Sequence, residues 1–313
     1  GVLAGLGAYL FEMLLHGIKS GLIRWFPVDS AHILFLIYPA VGIILATLFV
    51  KYIVRDNISE GVTRVLYAMS RRNSRIARHN CWTSIVGGAT TIGFGGSVGP
   101  EAPMVLTGAA IGSNIGRLAR LNYKHTTLLL CCGAGAALAA IFKAPITGVV
   151  FVLEILMLDI TAGSVIPLLI ASITATTMAF MLRGFDPILA VTLAPADAFE
   201  LWQIPLFILL GVLCGLMAWY FTSMNSRVGG FFKSIDKQYK KWLWGGAILG
   251  ILIFVFPPLY GEGYEGFTSL MHGNAQELFN NSLFYRFRDI DWVIILFVIA
   301  TMFFKVIAMA STN

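Results

Sequence analysis

The sequence predicts an all-α membrane protein with several bilayer-spanning helices, and three observations support this prediction. Of the 313 residues, 58% are hydrophobic and only 12% are charged, whereas a soluble domain carries about 25% charged residues. Apolar runs recur along the chain, and several reach the roughly 20 residues needed to cross a hydrocarbon core. Basic residues are grouped in the loops between the runs, as is usual for cytoplasmic loops. The net charge of +6 therefore indicates membrane topology and not nucleic-acid binding.

The predicted helices differ in length, and this difference points to a transport site. The segments long enough for a full crossing are 33–54, 201–224 and 291–311. Shorter segments interrupted by Gly or Pro are 81–98, 125–142 and 144–160. The remaining apolar segments are 1–22, 103–119, 164–182 and 242–260, with an amphipathic helix at 61–72. Broken helices persist in lipid only where the freed backbone faces protein or water, and in transporters such helices form the substrate site.

Two basic clusters define the orientation of the central segments. Arginines at 71–78 precede the pair 81–98 and 103–119, and basic residues at 117–124 follow it. If both clusters are cytoplasmic, the chain enters the membrane and returns between them. The turn at 93–103 is then expected to lie deep within the bilayer.

A predicted linker divides the chain into two predicted transmembrane halves. Residues 184–200 contain two prolines and two aspartates and read as a linker between 1–183 and 201–313. A further basic cluster, 233–241, lies in a polar loop of the second half. The sequence has no recognisable cleavable signal peptide. Both ends lie within or directly after apolar segments, so we expect that the chain is part of a longer protein and that its second half is truncated.

The glycine-rich turn GFGGSVGPEAP, residues 93–103, has the composition of an anion site. Glycines allow a tight turn that bares backbone N–H groups, and Pro100 suits the first turn of a helix. A helix that starts near Pro100 directs its positive dipole end and its free amides into the membrane. Gly99, Pro100 and Ala102 are therefore predicted to contribute to an anion-binding site.

Glu101 lies in the first turn of this helix and is the candidate gate. An acid at this position is often only a favourable partner of the helix dipole. Within a membrane segment, however, an ionisable residue is costly and indicates function. A carboxylate that competes with a permeant anion for the same amides closes the path when bound and opens it when displaced or protonated. We favour the gating interpretation.

Four stretches together resemble the CLC family of chloride channels and proton–chloride exchangers, in a prokaryotic-type form. GSVGPEAP resembles the family's GREGP-type motif, with Glu101 on its gating glutamate. Residues 133–154, 58–68 (ISEGVTRVLYA) and 261–264 (GEGY) resemble a Gly/Ala-rich helix pair, the GSGIP-type motif and a later loop. The resemblance implies an inverted-repeat fold with broken and re-entrant helices, and a homodimer with one anion pore per subunit. The family's later GxFxP motif has no counterpart here.

The sequence departs from the family pattern at positions that bear on the pore. Pro100 and Ala102 replace the motif's usual Arg and second Gly. Glu60 aligns with a serine that faces the central anion in the family, and a shift of one residue would put Ser59 there. An ionised Glu60 would repel chloride, so both Ser59 and Glu60 are kept as anion-site candidates, with helix capping as the alternative role of Glu60.

A further departure concerns the mechanism of transport. In exchangers of the family a second glutamate usually follows the Glu154 position and relays protons, and here that residue is Ile155. The missing acid favours a passive channel for chloride and similar anions, with a proton-coupled chloride exchanger as the alternative. Both interpretations expect a multi-pass protein of the plasma (bacterial inner) membrane.

Other classes of site are disfavoured. The cysteines lack metal-ligand spacing and read as free thiols, and the scattered histidines do not form a metal site. No cofactor is expected besides the transported ion. The sequence has no HExxH, no GxSxG and no paired intramembrane aspartates, which disfavours a membrane-embedded enzyme. Lys143 is read as a vestibule cation or a snorkelling side chain, and Tyr264 as an interfacial anchor.

Overall fold

A computed structural model describes residues 1–25, 31–56, 61–159, 161–185, 201–280 and 282–312. The described residues form helices joined by turns, and no strand occurs among them. The helices are α1 Val2–Trp25, α2 Ala31–Leu48, α3 Gly61–Arg71, α4 Asn80–Gly93, α5 Glu101–Leu118, α6 Tyr123–Phe142, α7 Pro145–Ile155, α8 Ala162–Arg183, α9 Ile204–Lys233, α10 Gln238–Val255, α11 Tyr264–Met271 and α12 Asp291–Thr312. A π-helical turn, Phe49–Val54, extends α2, and short 3₁₀ turns include Pro257–Leu259 before α11.

Six of the described helices are long and apolar enough to cross a membrane. The chain is thus an integral, multi-pass, all-α membrane protein, as the sequence predicts. Helix α7 is apolar but shorter, in agreement with the predicted interrupted segment 144–160. Several boundaries differ from prediction: α4 ends at Gly93, α7 at Ile155 and α10 at Val255, before the ends of their predicted segments, and α9 extends to Lys233, beyond segment 201–224. The prediction of a short, interrupted segment at 125–142 is wrong, because α6 is one continuous helix of 20 residues, long enough to cross a membrane.

Small residues bring the helices around α6 into close contact. A Cβ atom at Gly108 of α5 would overlap the carbonyl oxygen of Gly133 in α6, and one at Gly148 of α7 would overlap that of Gly135. Close backbone approach of this kind is how membrane helices pack, since lipid provides no hydrophobic drive between them. Helix α6 is therefore the centre of a core that also includes α1, α5 and α8.

A second core lies in the later part of the chain and touches the first part. It consists mainly of side chains from α10, α12 and the turn before α11, among them Leu249, Phe256 and Phe297. Helix α10 also packs closely on α2, where a Cβ atom at Gly250 would overlap the carbonyl of Leu36. The predicted halves are thus in contact. Their division at 184–200 stays a prediction, since 186–200 lie outside the described residues.

Candidate anion site and gate

The turn between α4 and α5 sets up the candidate site. Helix α4 ends at Gly93, and Gly95 takes a positive φ of 98° with its Cα face against the ring of Tyr260. Helix α5 then begins at Glu101 with Pro100 as its N-terminal cap residue. The helix start agrees with the sequence prediction, and the first amides of α5 have no partner within the helix.

The Glu101 side chain folds back over the start of its own helix. A Cβ atom at Gly99 would overlap the carboxylate oxygens of Glu101, so only glycine leaves room for the side chain in this position. Glu101 is half-buried, and its Oε1 accepts a hydrogen bond of 2.8 Å from the hydroxyl group of Tyr264. The carboxylate therefore occupies the space in front of the α5 N-terminus, where the sequence predicts an anion.

Tyr264 is a site residue that the sequence interpretation missed. It is the first residue of α11, and the preceding Gly263 has a positive φ of 89°, a conformation that favours glycine. The Tyr264 ring packs edge-on against Phe142 of α6, with ring centroids 6.1 Å apart. The half-buried side chain thus contacts Glu101 and Phe142 within the protein, contacts that the predicted role of interfacial anchor does not include. The glycines of GEGY are the signal that points to this turn.

A charged cavity of about 820 Å³ lies beside the Glu101 site. Pro100, which precedes Glu101 in the chain, and Tyr264, which donates to the Glu101 carboxylate, both line it. Lys143 also lines the cavity, and its Nζ donates a 2.9 Å hydrogen bond to the carbonyl of Gly184. Lys143 follows the last residue of α6, whose first residue adjoins the basic loop 117–124. The cavity is therefore at the end of α6 away from that loop, which is the end that the positive-inside rule predicts to be external, and it is called the outer vestibule below.

Ion pairing shapes the electrostatics of this outer vestibule. Arg183 at the end of α8 forms a salt bridge with the buried Glu12 of α1. Lys19 lies 3.9 Å from the exposed carboxylate of Glu265. Glu262 also lines the vestibule and interacts electrostatically with Lys19 and Glu101. Acids and bases are thus mixed around the entrance.

The structure describes only some of the remaining predicted site residues. Ser59 and Glu60 lie outside the described residues, so their role stays a prediction. Gly61, the next described residue, packs so closely on the carbonyl of Ala102 that a Cβ atom would overlap it. The start of α3 therefore contacts the first turn of α5. Ile155 is the last residue of α7 and is exposed, as is Glu154.

Metal ligands and redox groups do not assemble in the part of the chain that the structure describes. No group of three or more His, Cys, Asp or Glu side chains there could hold a metal ion. The four cysteines, Cys81, Cys131, Cys132 and Cys214, are free thiols.

The chain is similar to known proteins of one family. The family described as "Voltage gated chloride channel" matches residues 40–313. The chain belongs to this family, the CLC family. Among curated relatives, a putative chloride channel protein ClcB-like from Ralstonia nicotianae is 27% identical over 242 residues, covering 76% of this chain and 56% of the relative. The H(+)/Cl(-) exchange transporter ClcA of Vibrio vulnificus is 28% identical over 293 residues, covering 88% of this chain and 61% of the relative.

Solved structures show the CLC fold. A slow cyanobacterial Cl⁻/H⁺ antiporter matches with a TM-score of 0.77 and 24% identity, over 99% of this chain and 72% of the antiporter. A CLC-type fluoride/proton antiporter matches with a TM-score of 0.72 and 23% identity, over 100% of this chain and 73% of that chain. This CLC chain spans less than two thirds of the length of these curated relatives. The resemblance inferred from the sequence motifs is confirmed for family and fold.

Proposed function

We propose that this CLC protein exchanges chloride for protons across the membrane, with the Glu101 carboxyl group as the gate of the anion path. The observation that carries the proposal is the position of the carboxylate, which Tyr264 holds over Gly99 at the N-terminus of α5. Helix N-termini bind anions through free amides and the helix dipole. The ionised carboxylate and a chloride ion therefore compete for one place.

Protonation offers a way to couple this competition to proton movement. A neutral carboxyl group is a poorer ligand for the amides of Glu101 and Ala102 than a carboxylate, because it has lost its charge. The proton that releases the gate also travels with it when the side chain moves. A chloride ion entering as the protonated side chain leaves would thus link the two fluxes.

The curated and structural relatives support an exchanger over the passive channel. The ClcA relatives and both solved structures carry names of proton-coupled antiporters. The sequence prediction of a passive channel depended on Ile155, and the antiporter names do not support it. One relative is nevertheless called a putative chloride channel protein. The proposal also includes an inner-membrane location, assembly as a homodimer and the absence of enzymatic activity.

Liposome transport tests this proposal on the full-length protein. An outward chloride gradient is expected to drive protons uphill into the vesicles, and Glu101→Gln is expected to abolish this proton movement while chloride still passes. Asp289→Asn is a matched acid-to-amide control, since Asp289 is exposed and pairs only loosely with Arg288 at 3.8 Å. Chloride flux without any proton movement in the wild type would restore the passive channel. A Glu101→Gln variant identical to wild type in both fluxes would remove the gate assignment.

A further inference from the structure

A second charged cavity, of about 330 Å³, is formed by α3 and by the arginine-rich loop that follows it. Arg64, Arg72 and Arg75 line this cavity together with one acid, Asp56. Three guanidinium groups against one carboxylate leave a surplus of two positive charges. The cavity therefore fits an anionic ligand, and the planar fork of a guanidinium group matches the oxygen atoms of a phosphate group especially well.

Part of the hydrogen-bonding capacity of these arginines is unused. Arg64 forms a salt bridge with Asp56 through Nη2, but its Nη1 is buried and has no hydrogen-bond partner among the described residues. Arg72 and Arg75 form no salt bridge within the same part of the chain. Arg72 instead lies over the ring of Tyr67, with its Cζ 5.5 Å from the ring centroid. Because a buried donor without a partner is costly, an acceptor bound in this cavity is favourable.

The backbone that carries Arg72 and Arg75 is fixed in place. Ser74, between them, has a positive φ of 57°, a conformation that persists in residues other than glycine where the surroundings hold it. Its carbonyl accepts a 2.6 Å hydrogen bond from the hydroxyl group of Ser113 in α5. Its own hydroxyl group lies 2.6 Å from that of Thr127 in α6. The loop is thus anchored to two helices, so little binding free energy is lost in ordering its backbone.

The surroundings of the cavity have the character of a membrane surface. Tyr67 in α3, Trp82 in the first turn of α4 and Tyr123 at the start of α6 are each about half exposed, at 52%, 49% and 50%. The Tyr123 hydroxyl group donates to the carbonyl of Met69 in α3 at 3.0 Å, which places this ring beside the same helix. Exposed aromatic rings of this kind are typical of the membrane–water interface. Loop charge predicts that this face is cytoplasmic, but neither topology nor a helix dipole requires a cavity or an anchored loop.

We propose that Arg64, Arg72 and Arg75 form a binding site for a phosphate group. Two sources supply this chemistry at the predicted inner face: the headgroup of an anionic lipid, and free phosphate or polyphosphate. The aromatic rings beside the cavity favour the lipid, since basic pockets at the cytoplasmic side of membrane helices bind anionic headgroups. A phosphate oxygen supplies the acceptor that the buried Nη1 of Arg64 lacks. The site is separate from Glu101, so the inference does not depend on the proposed function.

Native mass spectrometry of the full-length protein in detergent tests the lipid source. Phosphatidylglycerol is expected to be retained more strongly than phosphatidylcholine, which also contains a phosphate group but carries no net charge. The double variant Arg72→Gln with Arg75→Gln is expected to bind phosphatidylglycerol about 25-fold more weakly, roughly fivefold for each arginine. The matched control is Arg117→Gln with Arg120→Gln, which removes the same charge from exposed residues of the neighbouring basic loop, outside the cavity. The control is expected to bind almost as wild type.

Thermal unfolding in detergent tests the free anion. If pyrophosphate raises the unfolding temperature of the wild type above that in sodium chloride of equal ionic strength, and the variant with Arg72→Gln and Arg75→Gln loses this effect, the site takes a free phosphate. Equal retention of the two lipids together with no effect of pyrophosphate would overturn the inference. An equal loss of phosphatidylglycerol in the Arg117 and Arg120 control would also overturn it, because it indicates general attraction to a basic surface. Should the double variant not fold, wild-type binding of both probes in each single variant decides against the site.

Discussion

Tyr264→Phe is the most direct perturbation of the closed gate, because it removes one hydroxyl group and little else. The hydroxyl donates to Glu101 Oε1 at 2.8 Å. The ring contact with Phe142, at 6.1 Å between centroids, is kept by phenylalanine. The variant therefore isolates the contribution of the hydrogen bond to holding the carboxylate over the helix N-terminus.

The magnitude follows from the kind of hydrogen bond. A hydrogen bond to a charged group contributes about 1.5–3 kcal/mol, which corresponds to a factor of roughly 10–150 in the equilibrium between closed and open positions. Glu101 and Tyr264 are only half-buried, so water can replace part of the lost interaction. We therefore expect an increase near the lower end, about tenfold, in the population of open gates at neutral pH.

Chloride efflux from liposomes at neutral pH measures this population. Tyr264→Phe is expected to raise the flux and to flatten its pH dependence, since the closed state is less favoured before any proton binds. Tyr260→Phe is the matched control, because its hydroxyl donates to the Gly93 carbonyl at 3.0 Å and not to the gate. A flux and pH profile equal to wild type in Tyr264→Phe would refute the reasoning. So would equal changes in the two phenylalanine variants.

Two further predictions concern the packing that supports the gate, and both are measured by thermal unfolding in detergent. Gly108→Val is expected to destabilise the protein by at least the 1–3 kcal/mol typical of overpacking, because its side chain would overlap the Gly133 carbonyl. Gly17→Val is the control, since a Cβ atom at Gly17 meets nothing within 4 Å. Equal stability of the two variants would contradict the contact between α5 and α6. Glu12→Gln is expected to cost about 1.5–3 kcal/mol, because Arg183 loses its ion pair with the buried Glu12 but keeps its electrostatic interaction with Glu262. An unchanged unfolding temperature would count against this ion pair.

The parts of the site that the sequence predicts well are those encoded locally. Glycine and proline spacing places the start of α5 next to Glu101 because turns and helix caps depend on a few adjacent residues. The residue types of 93–103 also carry the chemistry of an anion site. The basic loops also predict the orientation of this turn, because loop charge biases topology, and that orientation stays a prediction.

The parts that the sequence misses depend on distant contacts. Tyr264 lies 163 positions from Glu101 along the chain, and no local pattern reports that separation. Its aromatic ring with a polar tip is equally typical of a membrane interface, which explains why the sequence predicts an anchor and misses the contact with Glu101. Lys305 of α12, whose ammonium donates to the carbonyl of Gly261 in the loop before Tyr264, has a usable signal, a single lysine in an otherwise apolar stretch. Its partner is a backbone atom that no side-chain motif identifies.

The absence of an acid at position 155 limits the mechanism of exchange without excluding it. Ile155 ends α7, which begins at Pro145 just after the vestibule residue Lys143, and eleven helical residues span about 16 Å. Position 155 is therefore remote from the vestibule, and a relay there would serve only the inner side. Protons from the outer side need no such relay, because Glu101 adjoins the vestibule through Pro100 and Tyr264. Under the proposed exchange, Ile155 would bear only on how protons leave Glu101 inward, and the proposed outer competition between carboxylate and anion would be independent of it.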